Sequence, residues 1–342
     1  MLSRPSASRQ IAAEWVALAL LCSASCLSRS TEVLSSLYLS SLRSRSGPGA
    51  DFIHFLIFLS PGRGVEYAVR KRQGMTKLAL AVIIAAMAAS GQAQTCSRDA
   101  LKAMAANYFK AVETHSLSLL PLTTTVRITE NAAEIKPGDG FFKTGGKSQL
   151  QRSIVDTERC GILTQAVVDE TAAGKSGPVL MAVRLKVDSG KVSEIETVIA
   201  RNGDFAFKPQ GVLDTKDQDW TTLMPTAQRR TREFLNGQAD KYYVMFQDHS
   251  VDPGFAAPCN RWENGTYTTP KGDCSWKESV MTHPRRRFPV TEVELGATAA
   301  ITNFRDDWLD IHIFKFNKDG KIELIQAVDG PGTKGTGWPY DK

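Results

Sequence analysis

Apolar positions at three- and four-residue spacing predict one helix near the start of each half of the chain beyond residue 95. The positions that carry this spacing in the first half are Leu101, Met104, Ala105, Tyr108, Phe109 and Val112. Those in the second half are Phe234, Tyr242, Met245 and Phe246. Because residues at this spacing share one face of a helix, we expect both helices to pack on a core through that face.

Strands are predicted after each helix. In the first half they are short strands within TVRITENAAEI, and then GILTQAVVDE, PVLMAVRLKV and KVSEIETVIA. In the second half they are short strands within RWENGTYTT, and then VTEVELGATAAITNF, WLDIHIFKF and KIELIQAV. The glycines of DSG (188–190) and NKDG (317–320) suit hairpin turns. A helix followed by an antiparallel meander predicts an α+β fold, in which a strongly bent antiparallel sheet wraps around the N-terminal helix.

The two halves are also similar in sequence. Four segment pairs match in the same order, at offsets of 129 to 135 residues. They are AANYFKAVETHS with ADKYYVMFQDHS, TEN with WEN, RSIVD with RFPVT, and LMAVRLKVDSGKVSEIETV with LDIHIFKFNKDGKIELIQAV. This internal similarity predicts a tandem duplication. We expect cone-shaped α+β repeats at 95–205 and 227–332, a linker at 206–226 and a tail at 333–342.

The segment that begins at Met75 has the features of a signal peptide. Lys77 precedes the twelve apolar residues LALAVIIAAMAA, and small residues follow them. This pattern predicts a signal peptide at 75–93, which is too short to span a bilayer. We therefore expect a secreted or periplasmic protein without stable membrane insertion after cleavage, and a spurious or disordered extension at 1–74. A buried core helix, or a genuine extension with its own export signal near Trp15, is the alternative.

Export changes the charge of the protein. The whole chain has 42 basic and 36 acidic residues, a net charge of +6. Residues 1–74 contain nine basic and four acidic residues, and the signal peptide contains Lys77, so 32 of each remain from Gln94 to Lys342. A mature chain without net positive charge argues against nucleic acid as a partner, because phosphate binding needs a concentrated basic surface.

Four cysteines remain after cleavage: Cys96, Cys160, Cys259 and Cys274. An even number in an exported chain favours disulfides. Of the three possible pairings we predict Cys96–Cys160 and Cys259–Cys274, because each then joins two cysteines of the same repeat. The spacing of cysteines and histidines does not fit a zinc site, and no nucleotide-binding motif is visible, so we predict no metal and no cofactor.

Several short motifs are typical of a known family. They are Cys96, TEN (129–131), RSIVD with Cys160 (152–160), DW (219–220), Cys259 with WENGTY (262–267), RRRF (285–288), and D-x-H-x-F (310–314) before GKI (320–322). Through them residues 95–330 resemble a family of secreted fungal and bacterial proteins known as a domain of unknown function. The order of elements resembles the nuclear-transport-factor-two-like, or SnoaL-like, cone. The resemblance implies a fold and no reaction, and Phe205 stands where the family leads us to expect tryptophan.

The strand WLDIHIFKF has ionisable residues on a face that is expected to be apolar. Side chains alternate along a strand, so Asp310, His312 and Phe314 share one face. The matched positions of the first repeat are Met181, Val183 and Leu185. Because burying such groups without partners is costly, we predict His312 as a general acid or base, with Asp310 setting its protonation state. A buried polar pair that only fixes packing is the alternative.

Five further residues are candidate ligand contacts: Trp262, Glu263, Tyr267, Glu130 and Arg287. Trp262 and Tyr267 are large aromatic residues with a polar group, close to Glu263. Glu130 matches Glu263, and Arg287 matches Arg152, between the repeats. Matched occurrence also favours structural ion pairs, such as Arg152 with Asp156.

Two classes of function follow from these residues. The first is an enzyme of the lyase, isomerase or hydratase kind that works without a cofactor by acid–base catalysis on a small molecule. The second is a non-catalytic module that binds a small ligand in a concave pocket. Loss of turnover without loss of stability in a His312→Ala variant would favour the enzyme.

Overall fold

The computed structural model describes two short N-terminal strands and residues 96–172, 175–275, 285–304, 308–332 and 335–339. The predicted signal peptide at 75–93 lies outside the described residues, as does most of 1–74. Within residues 1–83, β1 (Leu56–Phe58) and β2 (Glu66–Ala68) pair antiparallel. Residues 84–342 form a separate compact unit, which contains both repeats.

Besides two short 3-10 helices, the described residues of the first repeat contain one α-helix and six strands. They are α1 (Arg98–Thr114), β3 (Leu122–Glu130), β4 (Ala133–Ile135), β5 (Gly145–Asp156), β6 (Gly161–Ala172), β7 (Lys175–Asp188) and β8 (Lys191–Ala200). The strands form one sheet in the order β4-β3-β8-β7-β6-β5. A short helix in the linker, α2 (Pro209–Leu213), follows this sheet.

The second repeat has the same plan. Its elements are α3 (Arg232–Met245), β9 (Phe255–Glu263), β10 (Thr266–Tyr267), β11 (Arg286–Glu292), β12 (Ala297–Phe304), β13 (Trp308–Phe316) and β14 (Ile322–Pro331). The sheet order is β10-β9-β14-β13-β12-β11, which matches the first sheet strand for strand. Equal topology in the two halves fits the two-domain layout that the sequence similarity predicted.

The sheets are mixed, so the prediction of purely antiparallel sheets was wrong. The last four strands of each repeat form an antiparallel meander. The first strand of the repeat lies outside this meander and pairs in parallel with its final strand, β3 with β8 and β9 with β14. A hairpin turn forces antiparallel pairing only between consecutive strands. β3 and β8 are separated by the rest of the sheet, so no turn dictates their relative direction.

Each sheet has one face on its helix and the other face on the second sheet. The side chains between α1 and its sheet include Leu101, Tyr108, Val112, Met181, Val183 and Leu185. Those between α3 and its sheet include Leu235, Tyr242, Tyr243, Phe314 and Phe316. Those between the two sheets include Ile154, Leu163, Val198, Ile301, Ile311 and Val328. The layers are therefore helix, sheet, sheet, helix, with three apolar cores between them.

Capping residues define where the two long helices begin. The Ser97 hydroxyl accepts a hydrogen bond from the Ala100 amide of α1 at 3.3 Å, and Thr231 does the same for Phe234 of α3 at 3.2 Å. Such caps satisfy amides that have no partner inside the helix. Most residues predicted to face the core of α1 are buried, but in α3 Phe234 is 38% exposed and Leu235 is buried instead.

Several strand predictions differ from the structure. The segment VTEVELGATAAITNF is divided by a turn at 293–296 into the end of β11 and β12. Strand β5 was not predicted, because its apolar alternation is weak: Lys147, Gln149 and Gln151 are all exposed. β5 lies at the edge of its sheet, where only part of the strand is covered.

The disulfide prediction is confirmed. Cys96 is bonded to Cys160 and Cys259 to Cys274, with Cα–Cα distances of 5.0 and 5.6 Å. Each bond stays within one repeat, as the duplication suggested. Two disulfides are compatible with an extracellular protein. Among the described residues, no helix has the length and apolar character needed to cross a bilayer.

The segments predicted as linker and tail both pack on the repeats. Val212 and Trp220 of the linker are buried in the core between the sheets. In the tail, the Trp338 indole donates to the Thr129 hydroxyl at 2.9 Å, and the Arg127 guanidinium lies 4.1 Å from the centre of its ring. These contacts make both segments part of the folded unit.

Candidate functional site

Strand β13 brings its ionisable residues under helix α3. Side chains alternate, so Leu309, Ile311 and Ile313 face the first repeat while Asp310 and His312 face α3. The exposed fractions of Asp310 and His312 are 0% and 3%. This face is core-facing, as the apolar residues at the matched positions of the first repeat indicated.

Strand register places further carboxylates beside this pair. On β14, Asp329 is paired with Asp310 of β13, and Ala327 is paired with His312 of β13. On its other side Ala327 is paired with Glu263 of β9. The side chains of Asp310, Asp329 and Glu263 therefore surround one imidazole. We call these four residues the His312 cluster.

The two ring nitrogens of His312 have different surroundings. Nδ1 lies 2.6 Å from Oδ2 of Asp310, and Nε2 lies 3.3 Å from the Tyr242 hydroxyl and 3.7 Å from Oε1 of Glu263. A carboxylate on Nδ1 orients the ring and leaves Nε2 as the reactive nitrogen. Nε2 is thus the atom at which a proton can be given or taken.

The charges of the cluster shift the pKa values of its members in opposite directions. Burial by itself lowers the pKa of His312, but the Asp310 carboxylate, together with Tyr242 and Glu263, outweighs burial and raises it well above the usual imidazole value. Burial raises the pKa of Glu263, but His312 and Arg261 outweigh it and lower that pKa. At neutral pH the geometry therefore favours an imidazolium beside an ionised Glu263.

Asp329 behaves as a carboxylic acid over a wider pH range than an ordinary aspartate. Burial is the largest cause and raises its pKa well above the usual range, and the charges of Asp310 and Glu263 raise it further. Burial also raises the pKa of Asp310. Two neighbouring carboxyl groups in a dry site share protons, because both cannot easily be ionised.

Arg261 and Tyr242 complete the polar surface around Nε2. Arg261 Nη1 donates to the Tyr242 hydroxyl at 3.1 Å, and its Nε lies 3.1 Å from Oε1 of Glu263. Arg286 of β11 forms an ion pair with Asp240 of α3 at 2.7 Å. The helix is thus held over the sheet by charged as well as apolar contacts.

Sequence reasoning missed Asp329, Arg261 and Tyr242 as site residues. The predicted strand KIELIQAV ended one residue before Asp329, although alternation would have put Asp329 on the face of Ala327. Tyr242 was assigned to the helix core, where it indeed lies, with its hydroxyl directed at His312. Nothing in the sequence alone indicates that Arg261 and Tyr242 meet.

The aromatic candidates lie on the other face of the sheet from Glu263. The centres of the Trp262 and Tyr267 rings lie 4.8 Å apart. Both rings line an open cavity of about 610 Å³, together with Gln218, Pro258, Asn260 and Lys315. Adjacent residues of a strand point in opposite directions, so Trp262 and Glu263 cannot face one site. Glu263 therefore belongs to the His312 cluster, whereas Trp262 and Tyr267 line a separate cavity.

Glu130 and Arg287 lie away from the His312 cluster. Glu130 of the first repeat accepts a hydrogen bond from the Phe141 amide at 2.7 Å and lies 3.7 Å from Arg201. Arg287 is buried between the sheets, where it pairs with Glu196. Both residues connect elements of the scaffold at these positions.

The described residues contain no group of three or more histidine, cysteine, aspartate or glutamate residues that is arranged to hold a metal ion. In the His312 cluster, the Asp310 and Asp329 carboxyl groups interact with each other, and Arg261 and Tyr242 occupy the side of Nε2.

The comparison with known proteins identifies a family. The model described as Domain of unknown function (DUF8021) matches residues 94–199 and 228–328, that is, one match in each repeat. No curated protein matches the chain. The matched residues amount to more than half of the chain, and the protein belongs to the DUF8021 domain-of-unknown-function family.

Proposed function

We propose that the second repeat carries a cofactor-free acid–base site for a small molecule, of the lyase, isomerase or hydratase kind. His312 is the proton donor and Asp310 positions its ring. The observation that carries the proposal is the burial of Asp310, Asp329 and His312 under α3, with the partly buried Glu263 beside them. The equivalent surface of the first repeat is made by Met181, Val183 and Leu185.

The cost of burying charge supports a functional reading of the cluster. An ion pair removed from water is seldom more stabilising than apolar residues of the same size. The first repeat folds with the apolar Met181 and Val183 at the positions that match Asp310 and His312, so the architecture does not require this charged pair. A cluster that is unnecessary for the fold and costly to bury is a candidate site by physical argument.

The roles of the residues follow from their positions around Nε2. His312 is held in its protonated form and donates from Nε2, while Glu263 accepts a proton on the same side. Arg261 and the Tyr242 hydroxyl offer hydrogen bonds to negative charge that develops on a substrate oxygen. The Glu263 side chain is 12% exposed, more than those of Asp310 and His312, so this proposal has the substrate approach the cluster from the side of Glu263.

Solvent hydrogen exchange into small carbonyl compounds tests this proposal across a range of candidate substrates. The protein in deuterated buffer is incubated with a panel of 2-oxo, 3-oxo and 3-hydroxy acids, and deuterium uptake is followed by NMR. We expect uptake above the buffer rate for at least one compound. His312→Gln should reduce that rate by roughly 10²- to 10⁴-fold, since general acid–base catalysis contributes about this much.

Two controls separate catalysis from folding. His249→Gln removes an exposed histidine and should leave exchange unchanged. The melting temperature of His312→Gln should fall by only a few degrees. Loss of exchange together with loss of the folded state would mark His312 as structural, and full exchange in a folded His312→Gln protein would contradict the proposal.

A non-catalytic ligand-binding function is the second candidate, and the cavity beside Trp262 and Tyr267 favours it. This cavity is open, and it is lined by two aromatic rings in contact, which is typical of a binding surface. If no compound of the panel exchanges hydrogen, but small ligands change tryptophan fluorescence in wild type and not in Tyr267→Ala, the binding module is the better description.

We also propose that each repeat is a SnoaL-like cone and that the protein is secreted or periplasmic, exported through the signal peptide at 75–93. The two disulfides and the balanced charge from Gln94 onward support export. N-terminal sequencing of protein expressed with the whole N-terminal segment tests it. A mature terminus near Gln94 is expected, and retention of Met1 would contradict it.

A further inference from the structure

Arg152 of β5 is a buried cation whose hydrogen-bonded partners are all neutral. Its exposed fraction is 6%. Nη1 donates to Oε1 of Gln218 at 2.7 Å, and Nη2 donates to the Thr215 hydroxyl at 2.7 Å and to the Val212 carbonyl at 3.3 Å. In the described part of the chain no carboxylate forms an ion pair with it. The sequence-based pairing of Arg152 with Asp156 is therefore wrong.

The carboxylate expected for Arg152 is used elsewhere. Asp156 lies at the end of the same strand and forms a bidentate ion pair with Arg232 at 2.7 and 2.8 Å. The matched arginine of the second repeat, Arg287, pairs with Glu196. A guanidinium offers five N–H donors, of which Arg152 uses three, and Nε is not among them. Burial without an anion lowers the pKa of Arg152 to about 10.

Arg152 lines a cavity of about 450 Å³ between α1, β5 and the linker. Two more cations line it, Lys102 of α1 and Lys216 of the linker, and none of the described residues that line it is acidic. Apolar groups complete the wall: Leu150, Ala105 and the ring of Trp220. The cavity therefore combines an excess of positive charge with an apolar wall.

We propose that this cavity, the Arg152 cavity, binds a small organic carboxylate. The carboxylate supplies the negative charge that Arg152 lacks, and it can accept hydrogen bonds from the two guanidinium N–H groups, on Nε and Nη1, that the protein leaves unused. Lys102 and Lys216 at the rim attract the anion. The apolar wall accommodates a carbon skeleton, which bare phosphate does not have.

The linker couples this cavity to the rest of the protein. Oε1 of Gln218 accepts hydrogen bonds from Arg152, from the Trp220 indole at 3.3 Å and from Gln326 at 3.0 Å. The Trp220 ring lies 5.7 Å from the Arg152 guanidinium. Trp220 is consequently a natural reporter, because an anion beside Arg152 changes the electrostatic surroundings of its ring.

Binding of benzoate and succinate, with inorganic phosphate as the competing anion, tests the proposal on the full chain with both disulfides formed. Calorimetry and tryptophan fluorescence at constant ionic strength give the affinities. We expect one of the two carboxylates to bind in the millimolar range or tighter and to raise the melting temperature. Arg152→Gln should weaken binding by roughly tenfold or more, because it removes charge-assisted hydrogen bonds.

Further variants keep the test decisive if Arg152→Gln does not fold. The pair Lys102→Gln and Lys216→Gln changes two exposed side chains and should weaken binding several-fold. The control is Lys136→Gln, which should leave carboxylate binding unchanged. Lys136 is exposed and follows β4, at the opposite edge of the sheet from β5. His312→Gln should retain carboxylate binding, since the His312 cluster is a different place, so this proposal and the catalytic one fail separately.

Three results would overturn the proposal. They are no carboxylate binding in wild type, binding that survives Arg152→Gln or the double lysine change, and phosphate binding as tight as carboxylate binding. The last result would mean that the cavity binds anions in general and that its apolar wall does not contribute to ligand binding.

Discussion

At the scale of single residues, the partner of a buried charge decides what the charge does. Arg287 and Arg152 occupy matched positions, but Arg287 has Glu196 beside it and Arg152 has only neutral acceptors. His312 has a carboxylate on one nitrogen and a hydroxyl on the other, which makes a proton available at Nε2. The residue type alone does not distinguish these cases, because the partners come from distant segments.

Asp329→Asn tests the electrostatics of the cluster. Folding raises the pKa of the Asp329 carboxyl group above its value of about 3.9 in the unfolded chain. The stability that this protonated carboxyl group contributes is therefore full below the unfolded pKa and is lost as the pH rises toward the folded pKa. Asparagine does not titrate. Above about pH 4 the free energy of unfolding of the variant should therefore rise relative to that of wild type, by at most about 1.4 kcal/mol per pH unit. Urea titrations at several pH values between about 4 and 8 measure this difference.

Asp219→Asn is the control of opposite sign. The Thr221 and Thr222 amides donate to this exposed carboxylate and lower its pKa. Its contribution to stability is present above the unfolded pKa and is lost as the pH falls through the folded pKa. The variant should thus be destabilised at neutral pH and approach wild type in acid. Parallel pH profiles for the two variants would refute the assigned shifts.

At the scale of elements, each strand of the meanders serves two cores at once. Strand β13 sends Ile311 to the core between the sheets and His312 to the core under α3. The alternation of WLDIHIFKF predicted this division, and the ends of β13 and β8 were predicted to the residue. The same rule separates Trp262 from Glu263, which sequence reasoning had grouped because they are neighbours in the chain.

Ile311→Ala tests the two-faced role of β13. Ile311 is fully buried between the sheets, so its truncation should lower the free energy of unfolding by about 2–5 kcal/mol, and Ile311→Val by about 0.5–1.5 kcal/mol. The imidazole of the next residue faces the other core. Its NMR titration should therefore stay as in wild type. A changed titration in a folded Ile311→Ala protein would mean that the two faces are not independent.

At the scale of the whole molecule, the repeats are joined by more than the linker. The core between the sheets contains side chains from both repeats, and the Arg232–Asp156 ion pair connects α3 to β5. Glu292 of the second repeat accepts a hydrogen bond from the Val155 amide at 2.7 Å and pairs with Arg98 of α1. A duplicated chain has thus become one unit, in which the two halves have different chemistry.

The similarity of the two halves, the order of helix and meander, the disulfide pairing and the ionisable face of β13 could all be predicted from the sequence. These features depend on periodicity and on comparison of the two halves, which are local or linear properties of the chain. The sequence did not predict edge strand β5, whose alternation is weak, or the exposure of Phe234 in place of Leu235.

Contacts between side chains of distant segments could not be predicted from the sequence and are known from the folded chain. The parallel pairing of β9 with β14 brings Glu263 to His312, and the path of the linker brings Gln218 to Arg152. Both contacts join residues far apart in the chain, and neither periodicity nor composition carries information on such pairings. Alternation specifies the face on which a side chain lies, whereas its neighbours on that face depend on strand order and register, which the packing of the complete chain selects.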